Sequence, residues 1–293
     1  MSFQADLERF NEKYPVRTMK VNGLTFNYRL GGKGDKTIVL LVGGLGISDA
    51  LCGHFDAFAE SFAVLTFDYP DETCSNSVLA DGIAGLINAL ELKNVFLVGQ
   101  SYVGLLAQVI TKRHPEMVKG LVLSNTGCLD SDMDEEAMKA MLQMPKRLRK
   151  YVWLVRIFPI SILKKVLIKR TEKRSNQVPS EENRYMADLF RYCYSRLTRR
   201  HELKMCSLII DLTNERGIKK DDFSHLDKKV LLLLSDDDDT FGDPVKKALV
   251  GMMPNPVVNT GICGGHLALV TNRELYIRTV TEFLNGIELY IRA

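Results

Sequence analysis

Ser101 stands in the run Gly99-Gln100-Ser101-Tyr102-Val103-Gly104, between an apolar stretch at 94–98 and an amphipathic one at 105–113. A strand feeding a tight Gly-x-Ser turn, with a helix leaving it, describes a nucleophile elbow. That geometry lifts the serine oxygen clear of the sheet and aims the next backbone N–H at the same point. A hydroxyl is a poor nucleophile until a histidine takes its proton, and the histidine needs a carboxylate to orient it and stabilise its cationic form. His266 follows Cys263-Gly264-Gly265, past a short strand-like run at 255–260, in a glycine-rich loop rather than in a core pattern. It reads as the base. The acid belongs at the carboxyl end of the preceding strand, because the order along this kind of chain is serine, acid, histidine. There the run 229–235 opens onto Asp236, Asp237, Asp238 and Asp239. Spacing leaves all four open: one faces the histidine and the others form a solvated acidic turn. Asp130 is the fallback.

Acyl chemistry also needs two backbone donors for the oxyanion of the tetrahedral intermediate. The Tyr102 N–H comes with the elbow. The second is expected from Gly43-Gly44-Leu45-Gly46, which follows the strand-like run 37–42, and the Leu45 N–H is the candidate. A dinucleotide-binding reading of this loop fails on spacing, since Gly44-x-Gly46 requires a glycine where Asp49 stands. The Walker-like run 31–37 precedes a strand and lacks the required spacing, and is read as a turn. His114 closes the helix after Ser101 and reads as a cation at a helix C-terminus. His54, His201 and His225 have no spacing that supports metal binding or catalysis, and are read as structural or surface residues.

Positioning these groups takes a scaffold. The 293 residues (33.1 kDa) suffice for a large core, and 46% hydrophobic and 26% charged residues are ordinary for a globular enzyme. A net charge of +3 is too small to point to nucleic acid. The cysteines at 52, 74, 128, 193, 206 and 263 are scattered, with no Cys-x-x-Cys pair, which reads as reduced thiols and no metal site. With no apolar leader at residues 1–15 and no run of membrane-spanning length, the expected location is cytoplasmic. Residues 17–30 read as a hairpin about Asn22-Gly23. Short apolar runs at 37–42, 63–68, 94–99, 120–125 and 229–235 then alternate with helical patterns at 78–91, 102–113, 244–252 and 273–284. This rhythm predicts an α/β fold with a doubly wound, mostly parallel sheet. Between 127 and 227 it breaks into helix-length patterns alone, at 134–143, 147–156, 159–170, 181–199 and 202–214. The division expected is a core of 1–126 and 228–293 with a helical cap at 127–227.

In this order VFLVGQSYVGLLAQ, HPEMVKGLVLSNTG, LLLLSDDDDTF and GGHLALVTNRELYIRTVTEFL resemble the α/β-hydrolase fold superfamily over essentially the whole chain. The resemblance implies Ser101 as nucleophile, His266 as base and, with Phe241 aligned to a downstream aromatic, Asp238 as acid. It also implies that 127–227 is the cap. Two positions depart from the pattern. Val103 stands where relatives carry a small residue, which predicts a strained or reshaped turn, and Gly43 stands where many carry histidine. A serine nucleophile disfavours the epoxide hydrolase and haloalkane dehalogenase chemistries, which use aspartate. Aminopeptidases of the fold usually carry Gly-Gly-Pro-Gly in the oxyanion loop, and here Leu45 replaces the proline.

The expected activity is a serine hydrolase that cleaves a carboxylic ester or related acyl bond of a small, apolar substrate, with neither cofactor nor metal. The alternatives are a non-catalytic binding module of the same fold, or a triad enzyme acting on a C–C or amide bond. Within the cap, residues 146–174 carry eleven lysines and arginines against Glu172 alone, interleaved with Tyr151, Val152, Trp153, Leu154, Ile157 and Phe158. One reading is a pair of amphipathic lid helices with apolar faces over the site and lysines in water. The other is a weak contact with an anionic surface.

Overall fold

The computed structural model describes residues 2–177, 180–215 and 217–291; the side chains of Lys173 and Arg174 lie outside the described residues. In chain order the elements run α1 (Phe3–Lys13), β1 (Arg17–Val21), β2 (Leu24–Gly31), β3 (Thr37–Leu40), α2 (Cys52–Phe58), β4 (Ala63–Asp68), α3 (Asn76–Ala89), β5 (Val95–Gln100), α4 (Tyr102–Arg113) and β6 (Val118–Ser124). The helices α5 (Glu135–Met141), α6 (Gln143–Ile157), α7 (Ile160–Gln177), α8 (Glu181–Arg196) and α9 (Arg199–Asp211) follow. The chain then returns through β7 (Val230–Leu233), α10 (Asp243–Met252), β8 (Val257–Asn259), α11 (Ala268–Thr271) and α12 (Arg273–Ile291).

The eight strands form one sheet in the order β1-β2-β4-β3-β5-β6-β7-β8. Asn22 and Gly23 close the β1–β2 hairpin with φ of 51° and 81°, the left-handed pair that a two-residue hairpin turn requires. β2 runs antiparallel to β4, and every later pairing is parallel. Parallel strands are covered on both faces, so their side chains alternate between two cores. Val39, Leu65, Leu97, Leu121 and Leu232 pack with α3, α4 and α10, while Ile38, Val64, Phe96, Val122 and Leu231 pack with α1, α2 and α12.

Between β6 and β7 lie the five helices α5–α9, the segment expected as the cap. Its α8 buries Met186, Leu189 and Cys193 in the core that holds α1 and α2, and its α9 buries Met205 and Leu208 in the other. α9 is pinned at its middle and at its C-terminal end. Buried Lys204 Nζ donates to Tyr69 O and Asp71 Oδ1, both at 2.7 Å, and the Asn76 N–H donates to Asp211 Oδ2 at 2.7 Å.

Three local features differ from the sequence expectation. α1 and α2 were not anticipated, although Ser2 caps α1 and Phe3, Leu7 and Phe10 recur at helical spacing on its buried face. The break expected between the helices over 181–199 and 202–214 falls earlier, at residues 197–198, because Thr198 Oγ1 accepts the His201 N–H and starts α9. α6 begins at Gln143 rather than 147, with Pro145 in its first turn, where no intrahelical N–H is needed.

Candidate active site

Ser101 joins β5 to α4 with φ 62° and ψ −128°, a conformation that costs a non-glycine residue energy and persists only where its surroundings enforce it. They do so here. The Ser101 N–H donates to Ser124 O at 3.1 Å, and the Ser101 carbonyl accepts Thr126 Oγ1 at 2.6 Å and the Gly104 N–H at 3.1 Å. The crowding of the turn falls on its glycines. A Cβ at Gly99 would lie 2.7 Å from Val103 O, and one at Gly104 would lie 2.5 Å from Thr126 Oγ1. Val103 takes part in α4 and packs wholly buried in the core, so the fold accommodates its β-branch.

His266 reaches this turn from the loop after β8, where Gly264 and Gly265 adopt φ of 125° and 62°. Its Nε2 is 2.9 Å from Ser101 Oγ, and its Nδ1 is 3.2 and 3.1 Å from the two carboxylate oxygens of Asp238. Of the four consecutive aspartates only Asp238 is buried. Burial pushes its carboxyl up, but the hydrogen bond and charge of His266 and the Thr240 N–H outweigh this and hold it below the usual value. Asp237 is exposed, and its carboxylate accepts the Gly264 N–H at 3.0 Å, which ties the acid turn to the histidine loop. The backbone N–H groups of Gly265 and Gly264 hold its carboxyl low. Asp130 is spent elsewhere: its Oδ1 accepts the Asp132 N–H at 3.0 Å, beside a backbone bridge to Ile218.

The loop after β3 turns at Gly46, whose N–H donates to Gly43 O at 2.8 Å and whose φ is 64°. It brings Leu45 to a cavity of about 290 Å³ shared with Gly44, Gln100, Ser101 and His266. Among the described residues neither the Leu45 N–H nor the Tyr102 N–H is given to another protein group. Tyr102 itself points away, its buried hydroxyl donating to Asn76 Oδ1 at 2.7 Å. A second, apolar cavity of about 160 Å³ lies between Tyr102, Phe241 and the cap, lined by Leu105, Met138, Met141 and Met144. The Phe241 ring sits 5.8 Å from the imidazole of His266.

Four supporting residues escaped the sequence reading. His201 on α9, read as structural or surface, lies with Nε2 at 2.7 Å from Leu45 O. A carbonyl only accepts, so Nε2 carries the proton. Gln100 donates through Nε2 to His266 O. Asn125 Nδ2 donates to Ser235 Oγ and Gly265 O, both at 2.9 Å, and Thr126 holds the elbow as above. Asn125 and Thr126 directly follow a strand end, which is a detectable signal; nothing local marks His201. His54 is buried with Nε2 at 2.9 Å from Leu269 O, and burial lowers its pKa to about 4. His114 pairs with Asp81 at 2.9 Å. No group of three or more His, Cys, Asp or Glu side chains is placed to hold a metal among the described residues, and no described helix is long and apolar enough to cross a membrane.

A family model described as alpha/beta hydrolase fold matches residues 36–272. No curated protein matches. Among solved structures, a hydrolase from Pseudomonas aeruginosa PA01 superposes with a TM-score of 0.71 at 15% identity, over 92% of this chain and 98% of its own. A thermophilic esterase from Thermogutta terrifontis gives 0.70 at 18%, over 93% and 98%. An enol-lactonase from Burkholderia xenovorans LB400 gives 0.68 at 16%, over 92% and 100%. At these identities the likeness is one of fold.

Proposed function

We propose that this chain, which belongs to the α/β-hydrolase fold family, is a serine hydrolase that cleaves a carboxylic ester or related acyl bond of a small apolar substrate. The observation that carries this reading is the continuous line from Asp238 through His266 to Ser101 Oγ, with separations of 3.1 and 2.9 Å. Ser101 Oγ attacks the carbonyl carbon while its proton passes to His266 Nε2. The Leu45 and Tyr102 N–H groups hold the resulting oxyanion, and Asp238 stabilises the imidazolium. Collapse expels the alcohol, which takes the proton back from Nε2. A water, deprotonated by the same nitrogen, then attacks the acyl-enzyme and frees the acid and Ser101. The apolar cavity beside Phe241 suits the acyl or alcohol chain. A non-catalytic module has no use for a serine held at φ 62° against a histidine, so the enzymatic reading is preferred.

Labelling with a fluorophosphonate and turnover of p-nitrophenyl esters of increasing acyl length test the proposal. Both should occur in the parent and vanish in Ser101→Ala, with turnover falling on the order of a million-fold. A folded parent that neither labels nor turns over any ester, or an alanine variant that keeps its rate, overturns it.

A further inference from the structure

We propose that the corner between α6 and α7 docks on an anionic phospholipid bilayer, its apolar tip entering the headgroup layer and its basic flanks facing the lipid phosphates. Ten large apolar side chains are exposed among the described residues, and six of them crowd into this one corner: Trp153, Leu154, Ile157, Phe158, Ile162 and Val166. Trp153 is 60% exposed and Ile157 54%. A lid helix with its lysines in water would turn these residues inward. Instead α6 buries Pro145 and Val155 and leaves a second apolar strip outside. Large apolar side chains clustered in solvent mark a surface that meets something less polar than water.

Charge selects what that is. From residue 146 to 170 the chain holds nine lysines and arginines and no acid, in a protein whose net charge is only +3. Lys146, Arg147, Arg149 and Lys150 are exposed on the first half of α6, and Lys165, Lys169 and Arg170 on α7 beyond the tip. None of the nine is ion-paired among the described residues; Lys164 donates to Ser195 O at 2.7 Å and Arg147 to Gln143 Oε1 at 3.5 Å, one turn away on its own helix. An apolar tip with basic residues on either side matches an interface of acyl chains beneath anionic headgroups. The same flanks on a second copy would repel, which disfavours self-association through the tip. Pro159 splits the run into two helices, so the contact is a wedge rather than one helix lying flat. α6 also supplies Met144 and Pro145 to the apolar cavity, which links the docking corner to that space by a single helix.

The inference does not rest on the hydrolase reading, and its test is separable from it. Trp153 is the single tryptophan of the chain, so its emission reports the tip directly. The full chain is mixed with phosphatidylcholine vesicles, with or without about 30% phosphatidylserine. With phosphatidylserine the protein should sediment with the vesicles and its emission should shift to shorter wavelength. Phosphatidylcholine alone should give neither. About 0.5 M NaCl should weaken binding roughly tenfold or more, as screening predicts. Ile157→Asp and the double change Lys146→Glu with Lys150→Glu should each abolish sedimentation while far-ultraviolet circular dichroism stays that of the parent. Ser101→Ala should bind like the parent, which keeps docking distinct from catalysis. The proposal is overturned by absence of binding to phosphatidylserine vesicles, by equal binding to both lipids, or by a lipid-free, concentration-dependent blue shift that reports a second copy. Retention on acidic protein or RNA without vesicle binding overturns it as well.

Discussion

His201, on the cap helix α9, meets the carbonyl oxygen of Leu45, on the loop after β3, at 2.7 Å. One side chain thereby couples the cap to a proposed oxyanion donor. The fit is tight, because a Cβ on Gly46 would lie 3.1 Å from the His201 ring and 2.6 Å from Met205 Sδ. His201→Ala frees the loop without touching the triad. Outright loss of an oxyanion donor costs about 10²–10³ in kcat, so a misdirected one should cost roughly 10-fold or more, with KM little changed. His201→Gln, which still offers a donor, should recover part of the loss. Steady-state kinetics on one ester decides it; an unchanged kcat in the alanine variant separates the contact from catalysis.

The aspartate run should respond very unequally. Asp238→Asn removes the group that orients His266 and should lower kcat by roughly 10⁴ through the wrong tautomer. Asp236→Asn and Asp239→Asn, both exposed, should stay near the parent rate. Asp237→Asn should fall between, since it loosens the loop through Gly264. Four mild, similar effects would move the acid role away from this turn.

Val103 and Gly104 should exchange the roles that local pattern suggests. Val103→Gly loses a buried side chain and adds a helical glycine, together worth about 3 kcal/mol, so the melting temperature should fall with no gain in rate. Gly104→Ala drives a methyl against Thr126, whose hydroxyl holds the Ser101 carbonyl, and should slow turnover about 10-fold or more. Thermal melts and kinetics of both variants check the pair. A faster Val103→Gly enzyme would show that the valine restrains the elbow.

His54 makes stability depend on pH. Burial holds its folded pKa at about 4 against an ordinary 6.5, so above pH 6.5 both folded and unfolded forms are neutral and no penalty applies. As pH falls from 6.5 towards 4 the unfolded chain takes up a proton that the fold refuses, and roughly 3 kcal/mol of stability is lost. Denaturant unfolding at pH 7.0 and pH 4.5 should show this loss in the parent and a smaller one in His54→Gln, which can still donate to Leu269 O. Equal pH slopes for the two proteins would rule His54 out as the source.

Local order sufficed for much of this protein. Apolar runs bounded by turn residues define β3 to β7, because a strand covered on both faces needs apolar side chains in succession, and that is visible in a single stretch of chain. The elbow and the glycine-flanked His266 are visible for a similar reason: each needs an unusual local conformation that only certain neighbours permit. The run Asp236–Asp239 shows where such legibility stops. Four identical side chains differ only in direction and depth, and the turn after β7 buries Asp238 behind His266 while the other three stay in water. His201 lies 156 residues from Leu45 in the chain, and Gln100 lies 166 from His266, so no spacing rule connects either pair. The outward turn of Trp153 and Ile157 is of the same kind, since the second half of α6, from Tyr151 to Ile157, is apolar at every position but Arg156 and its packing on α9 selects the side that meets solvent. Composition and periodicity specify conformations of single segments; which side chains converge is decided when segments distant in the chain are packed against one another.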